Sequence, residues 1–205
     1  MNKISKYAVK GIMLAVGVVV LFSGSLKKYE DFDYWPAKNY YEITSPYGER
    51  VNPVTGRKSF HSGVDIGVPE GGELVSVIDG VVSNTGFIIG YGYVIIIKGE
   101  VEGEEYTLIY AHASPEYLVY EGLKVFKGDI IGYSGPKFVK INGKVITNGY
   151  TTGPHLHFEV RKNGSLQDPI AFLEYLEILS LKTDEENTHN TDWNCWNLHK
   201  SCIYL

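Results

Sequence analysis

Cysteine is scarce in this chain. Two in 205 residues, Cys195 and Cys202, exclude a disulfide-framework fold. Surplus basic charge is missing as well. Nineteen Lys and Arg stand against 24 Asp and Glu, a formal net charge of −5, so a general nucleic-acid partner, which needs a concentrated basic surface, is excluded. Long apolar runs are absent but for one, from Gly11 to Leu26, on the short side of the roughly 17–25 residues a spanning helix needs. No internal repeat has the length of a solenoid unit. Gly132-Tyr133-Ser134-Gly135 lacks the full strand-to-helix elbow of a serine hydrolase, and both cysteines sit in a polar tail, away from any strand–helix core that would position a nucleophile.

What is present sorts along the chain. Lys3, Lys6 and Lys10 precede the uncharged run centred on IMLAVGVVVLF, with Ser23-Gly24-Ser25 after it, the form of a secretory signal or a retained anchor helix. Residues 1–26 are therefore read as signal peptide or membrane anchor, with the remainder exported to act outside the cytoplasm. Residues 27–42 are charged and aromatic without periodicity and read as linker. Then come many short strands, among them ELVSVI, GVVSNTG, YVIIIKG, YTLIYAH, DIIGYSG and HLHFEV, divided by Gly, Pro, Asn and Asp. Such a series predicts a mostly β domain, an antiparallel sandwich or barrel. Asp79-Gly80 and Asn142-Gly143 favour hairpin turns. The segment from Pro169 to Lys182 carries apolar residues at helical spacing, with proline suited to a first turn.

The histidines are the most informative feature. Four of six lie in the strand-rich region, in FHSGVDIG (His61), IYAHAS (His112) and GPHLHFEV (His155, His157). On a strand, alternate side chains share a face. Leu156, Phe158 and Val160 then face the core, while His155, His157 and Glu159 share the other face. Two neighbouring imidazoles suit a cation, since neutral imidazole is a common metal ligand; a solvated strand face gives the same pattern. His61 and Asp65 add an imidazole and a carboxylate four residues apart. A catalytic zinc site takes three protein ligands and leaves one position open, which two His and one carboxylate satisfy. Two His remain to transfer protons. Spacing alone does not say which His of the HxH pair binds metal.

These residues and their order resemble the lysostaphin-type, or LytM-like, zinc metallopeptidases that cut peptides of bacterial peptidoglycan. The ordered pieces are YGERVNPVTG, HSGVDIGVPEG, VSVIDGVVSNTG, GYGYVIII, YAHAS, VFKGDIIGYSG, TTGPHLHFEV and DPIAFL, from about Ile43 to Leu173. The resemblance implies a peptidase domain over 43–173 with a two-sheet, duplicated-hybrid-motif fold and an open groove; the helix and polar tail read over 174–205 end outside the match. It implies one Zn2+ per chain held by His61, Asp65 and His157, a catalytic pair of His112 and His155, and peptidoglycan peptide as substrate. Some relatives of that family lack ligands and serve as wall-binding or activating modules; here all five positions are present.

Three further expectations can be checked. Glu159 is read as an exposed strand carboxylate in preference to a partner that orients an imidazole. Arg50 is read as a fork of donors for a substrate carboxylate or as a plain surface arginine. PKFVKINGKVITNGY (136–150) departs from the family pattern and is read as an added hairpin, able to form part of the groove wall. In the tail, Cys195 and Cys202 can pair, or join His189 and His199 around a second metal.

Overall fold

The computed structural model describes residues 34–39, 41–52 and 56–183. The expected apolar segment 1–26 and the tail with Cys195 and Cys202 lie outside them. Among the described residues no helix is long and apolar enough to cross a membrane.

The strands are β1 (Ile43–Ser45), β2 (Gly48–Val51), β3 (Lys58–His61), β4 (Val64–Ile66), β5 (Glu73–Val75), β6 (Gly80–Ile88), β7 (Gly92–Val101), β8 (Glu104–Ala111), β9 (Lys124–Val125), β10 (Ile130–Tyr133), β11 (Phe138–Ile141), β12 (Lys144–Thr147), β13 (Leu156–Lys162) and β14 (Ser165–Gln167). One eight-stranded sheet runs β1-β4-β13-β8-β7-β6-β9, with β14 beside β13, and every pairing is antiparallel. Three two-stranded ribbons, β5–β10, β11–β12 and β2–β3, complete the β structure of the described residues. The chain is thus mostly β and antiparallel, as predicted. The second layer is a small ribbon rather than a second full sheet, because β5 and β10 are too short to span the large one.

Alternation makes the large sheet two-faced. One face carries Ile66, Val64, Leu156, Phe158, Val160, Leu108, Tyr110, Ile95, Ile97 and Val82, all inaccessible to solvent. Cross-strand register stacks them in rows, such as Phe158 against Tyr110 and Tyr110 against Ile95. The β5–β10 ribbon covers this face with Leu74 and Ile131, both fully buried. Gly132 lets the ribbon approach, since a Cβ there would meet Ile95 Cδ1 at 2.8 Å. The Tyr110 hydroxyl accepts the Val77 amide at 3.3 Å, which satisfies a phenol that burial would otherwise penalise.

The helix α1 (169–183) begins as expected, with Asp168 Oδ1 accepting the Ile170 amide and Pro169 in the first turn. Phe172, Leu173 and Leu176 bury its inner stripe, and Phe172 stacks on Tyr106 at 4.6 Å. Two expectations change. Asp79-Gly80 does not close a hairpin, because β5 pairs with β10 and β6 with β7 and β9. Gly80 serves close packing instead: a Cβ there would lie 2.5 Å from the Lys98 carbonyl. Part of the predicted linker is also packed, for Trp35 and Ala37 are buried and Ala37 bridges to Leu74 on β5.

Candidate metal centre

The second face of the large sheet carries the predicted residues. His157 on β13 stands directly opposite Asp65 on β4 and Ala111 on β8. Opposed residues share a face, so imidazole and carboxylate meet, with His157 Nδ1 2.8 Å from Asp65 Oδ1. His61 ends β3 and is buried; its Nε2 is 3.1 Å from both Asp65 Oδ1 and His157 Nδ1. Three donor atoms from distant parts of the chain form one tight triangle able to hold a metal ion. Tetrahedral zinc, with bonds of about 2.0–2.2 Å, separates its donors by about 3.4 Å, so the triangle fits that ion after spreading by a few tenths of an ångström.

Hydrogen bonds fix which nitrogen each imidazole offers. A carbonyl can only accept, so His61 Nδ1 donates to Pro46 O at 2.8 Å and leaves Nε2 with its lone pair. His157 Nε2 donates to Glu159 Oε1 at 3.2 Å and leaves Nδ1 for a metal. In the metal-free chain burial alone would raise the Asp65 pKa, but the His157 and His61 imidazoles lying against the carboxylate outweigh it and hold the carboxyl far below the usual range; a bound metal would take the place of those contacts. Burial disfavours the His157 cation, yet its bonds to Asp65 and Glu159 raise its pKa overall.

The other two histidines are close by. His112 and His155 have ring centroids 4.7 Å apart, and His112 lies 6.0 Å from the His157 ring. His155 Nε2 is 3.6 Å from Asp65 Oδ1. Both rings are anchored through Nδ1, His112 on Asn148 O at 2.6 Å and His155 on Gly153 O at 2.9 Å, which leaves each Nε2 without a hydrogen of its own, that of His155 facing Asp65. His112 follows β8 with a left-handed backbone, φ 56°. Simple alternation after Ala111 would send its side chain to the core face, and the kink brings it to the histidine cluster. Among the described residues the other non-glycine ones with positive φ, Glu102, Asn142 and Asn163, each precede a positive-φ glycine in a hairpin turn, so His112 is a special case. Burial, then the nearby His155 and His157, push its pKa down to about 4, so the ring is neutral near pH 7.

Two expectations are corrected. Glu159 is not exposed but fully buried. It accepts hydrogen bonds from the Ser62 and Tyr91 hydroxyls and His157 Nε2, while Arg161 Nη2 lies 3.2 Å from its Oε2. Burial pushes its pKa up, but the His157 and Ser62 bonds dominate and hold it at about 2. Its place on the HxH face was legible; its burial was not, because Ser62 and Tyr91 arrive from separate loops. Arg50 is not a plain surface residue but a half-buried one that is paired on the protein side. Its Nη1 pairs with Asp65 Oδ2 at 3.2 Å and also donates to Ser45 Oγ, so it orients the carboxylate from behind. The hairpin predicted around Asn142-Gly143 is present as β11–β12, and Asn148 at its base, which sequence reasoning missed, anchors His112.

Residues 59–169 match Peptidase family M23, and the chain belongs to that family. It is 34% identical over 132 residues to the DD-carboxypeptidase/endopeptidase Mpg of Neisseria meningitidis serogroup B, covering 64% of this chain and 27% of that protein. It is 34% identical over 134 residues to the peptidoglycan DD-endopeptidase ShyA of Vibrio cholerae serotype O1, covering 65% and 28%. The chain thus spans only about a quarter of the length of the curated relatives it matches. Its fold resembles the catalytic domain of lysostaphin from Staphylococcus simulans, with TM-score 0.53, 32% identity, and coverage of 65% of this chain and 92% of that one. It also resembles a zinc-containing peptidase from Vibrio cholerae, with TM-score 0.54, 33% identity, and coverage of 67% and 38%.

Proposed function

We propose that this chain is an exported zinc-dependent endopeptidase that hydrolyses peptide bonds of bacterial cell-wall peptidoglycan. His61, Asp65 and His157 hold the zinc, and His112 and His155 are the catalytic residues. The observation that carries this reading is the triangle of donor atoms with two further imidazoles beside it, each anchored through Nδ1. The M23 relatives with peptidoglycan-cleaving names support the choice of substrate.

Zinc in such a site lowers the pKa of bound water to about 7 and polarises a carbonyl. The chain's own groups do the rest. His112, kept neutral by burial, accepts a proton at Nε2 as the attacking water bonds to the carbonyl carbon. His155 stands next to it, and between them the pair returns that proton to the departing amine nitrogen as the C–N bond breaks. Arg50 and Glu159 keep Asp65 and His157 in orientation. The basic, then apolar, N-terminal segment supports export.

Two substitutions test this assignment. His157→Ala is expected to lose stoichiometric zinc, read by metal analysis. His112→Ala is expected to keep one zinc per chain and lose most peptide release from purified peptidoglycan, read by mass spectrometry of the products. Normal hydrolysis by His112→Ala overturns the catalytic assignment. Failure of the wild-type chain to release peptides in a zinc-dependent manner favours a wall-binding or activating module.

A further inference from the structure

Asn148 is fully buried, and nothing in its residue type requires that. A buried carboxamide is costly unless both its ends are bonded. Here they are: Oδ1 accepts the Tyr93 amide at 2.8 Å, and Nδ2 donates to the Ala113 carbonyl at 3.0 Å. The slot around it is built of glycines. A Cβ at Gly92 would collide with the Asn148 carboxamide, and one at Gly135 would lie 2.6 Å from Asn148 Nδ2. At the next residue, a Cβ on Gly149 would lie 2.5 Å from the Gly90 carbonyl. Three chain segments therefore close tightly on one side chain.

The two backbone groups it bonds flank His112 and its strand neighbour. The left-handed turn at His112 takes β8 out of its regular ladder with β7. Beyond that point His112 N pairs with Tyr91 O and Ala113 N with Tyr93 O, while Tyr93 N and Ala113 O go to the carboxamide. The same residue presents its own carbonyl to His112 Nδ1 at 2.6 Å. Asn148 thus closes the backbone around the kink and fixes the ring that the kink displays.

We propose that Asn148 is a positioning residue for His112. Its carboxamide holds the kinked backbone, and its carbonyl sets the imidazole in the Nδ1–H tautomer, with Nε2 directed to the reaction. The β11–β12 ribbon is thereby a buttress of the proton-transferring group as well as an insertion. The proposal rests on the reading of His112 as a catalytic residue.

The test uses the full chain in two arms. In the first, imidazole 15N spectra of the wild-type protein, metal-free and zinc-loaded, are recorded, with His112 assigned by the signal lost in His112→Gln. The proposal expects the His112 proton on Nδ1 in both states, and a proton on Nε2 overturns it. In the second, zinc-loaded Asn148→Ala and Asn148→Asp are compared with wild type. Asn148→Asp keeps the acceptor for Tyr93 N but turns an oxygen toward the Ala113 carbonyl. Both variants are expected to retain one zinc and a KM within twofold of wild type, and to lose kcat by about 10–100-fold, the scale of a small misplacement of a reacting group. A kcat within twofold of wild type in a folded variant overturns the proposal. Should neither variant fold, the wild-type spectra decide it. An inactive wild-type protein with the proton on Nδ1 would sink the hydrolase reading and leave the positioning of His112 standing.

Discussion

Replacing Glu159 by glutamine isolates the contribution of a buried carboxylate to metal binding through its neighbour His157, the ligand proposed above. Glutamine has nearly the same volume, so no cavity opens. Its oxygen can still accept from Ser62, Tyr91 and His157, while its NH2 group must face the Arg161 guanidinium, donor against donor. The His157 Nε2–H bond changes from charge-assisted to neutral. Hydrogen bonds to charged groups are worth about 1.5–3 kcal/mol and neutral ones about 0.5–1.5, so roughly 1–1.5 kcal/mol of orienting energy is lost. That corresponds to about a tenfold weaker zinc affinity, the lower end of the 10–100-fold typical of partners behind a ligand. The assay is competition for zinc with a chromophoric chelator, with near-ultraviolet circular dichroism to verify native packing. A folded Glu159→Gln protein binding zinc within twofold of wild type refutes the reasoning. Glu159→Ala is a poorer choice, because it leaves Ser62, Tyr91 and Arg161 without their acceptor and lowers stability for reasons unrelated to metal.

Two other outcomes follow from the same geometry. Gly63→Ala places a Cβ 2.5 Å from the Phe158 carbonyl and 2.9 Å from His157 Cε1, so β13 must shift at the proposed ligand His157; overpacking of about 1–3 kcal/mol and weaker zinc binding are expected, measured by urea denaturation and chelator competition. In the metal-free protein, His112 titrates near 4 when folded and near its ordinary 6.5 when unfolded, so the unfolded state binds more protons between those values and stability falls as pH drops through that window. Glu159, held at about 2 against an ordinary 4.5, adds a further loss below pH 4.5. His112→Gln should flatten the decline between 6.5 and 4, read from urea midpoints; an unchanged slope contradicts the burial of a neutral His112.

Period-two alternation made β13 readable, with Leu156, Phe158 and Val160 turned inward and His155, His157 and Glu159 together on the reverse face. Turn chemistry made the Asn142-Gly143 hairpin readable, and the proline-led apolar stripe did the same for α1. Asp79-Gly80 misled, because a close approach to a neighbouring strand and a tight turn both call for glycine. Glu159 and the plain-surface reading of Arg50 were misjudged because a charged residue in a strand looks alike in sequence whether water or a buried partner faces it.

Sequence by itself determined the strand pattern, the two-faced character of the sheet and the set of side chains capable of metal and proton chemistry, since these depend on residue type and on spacing along the chain. Only the tertiary structure decided that His61 offers Nε2 and His157 Nδ1, that His112 reaches the cluster through a left-handed turn, and that Asn148 secures it. Those outcomes depend on carbonyls and hydroxyls brought in from remote segments, and hydrogen-bond geometry between segments exists only once the chain has closed upon itself.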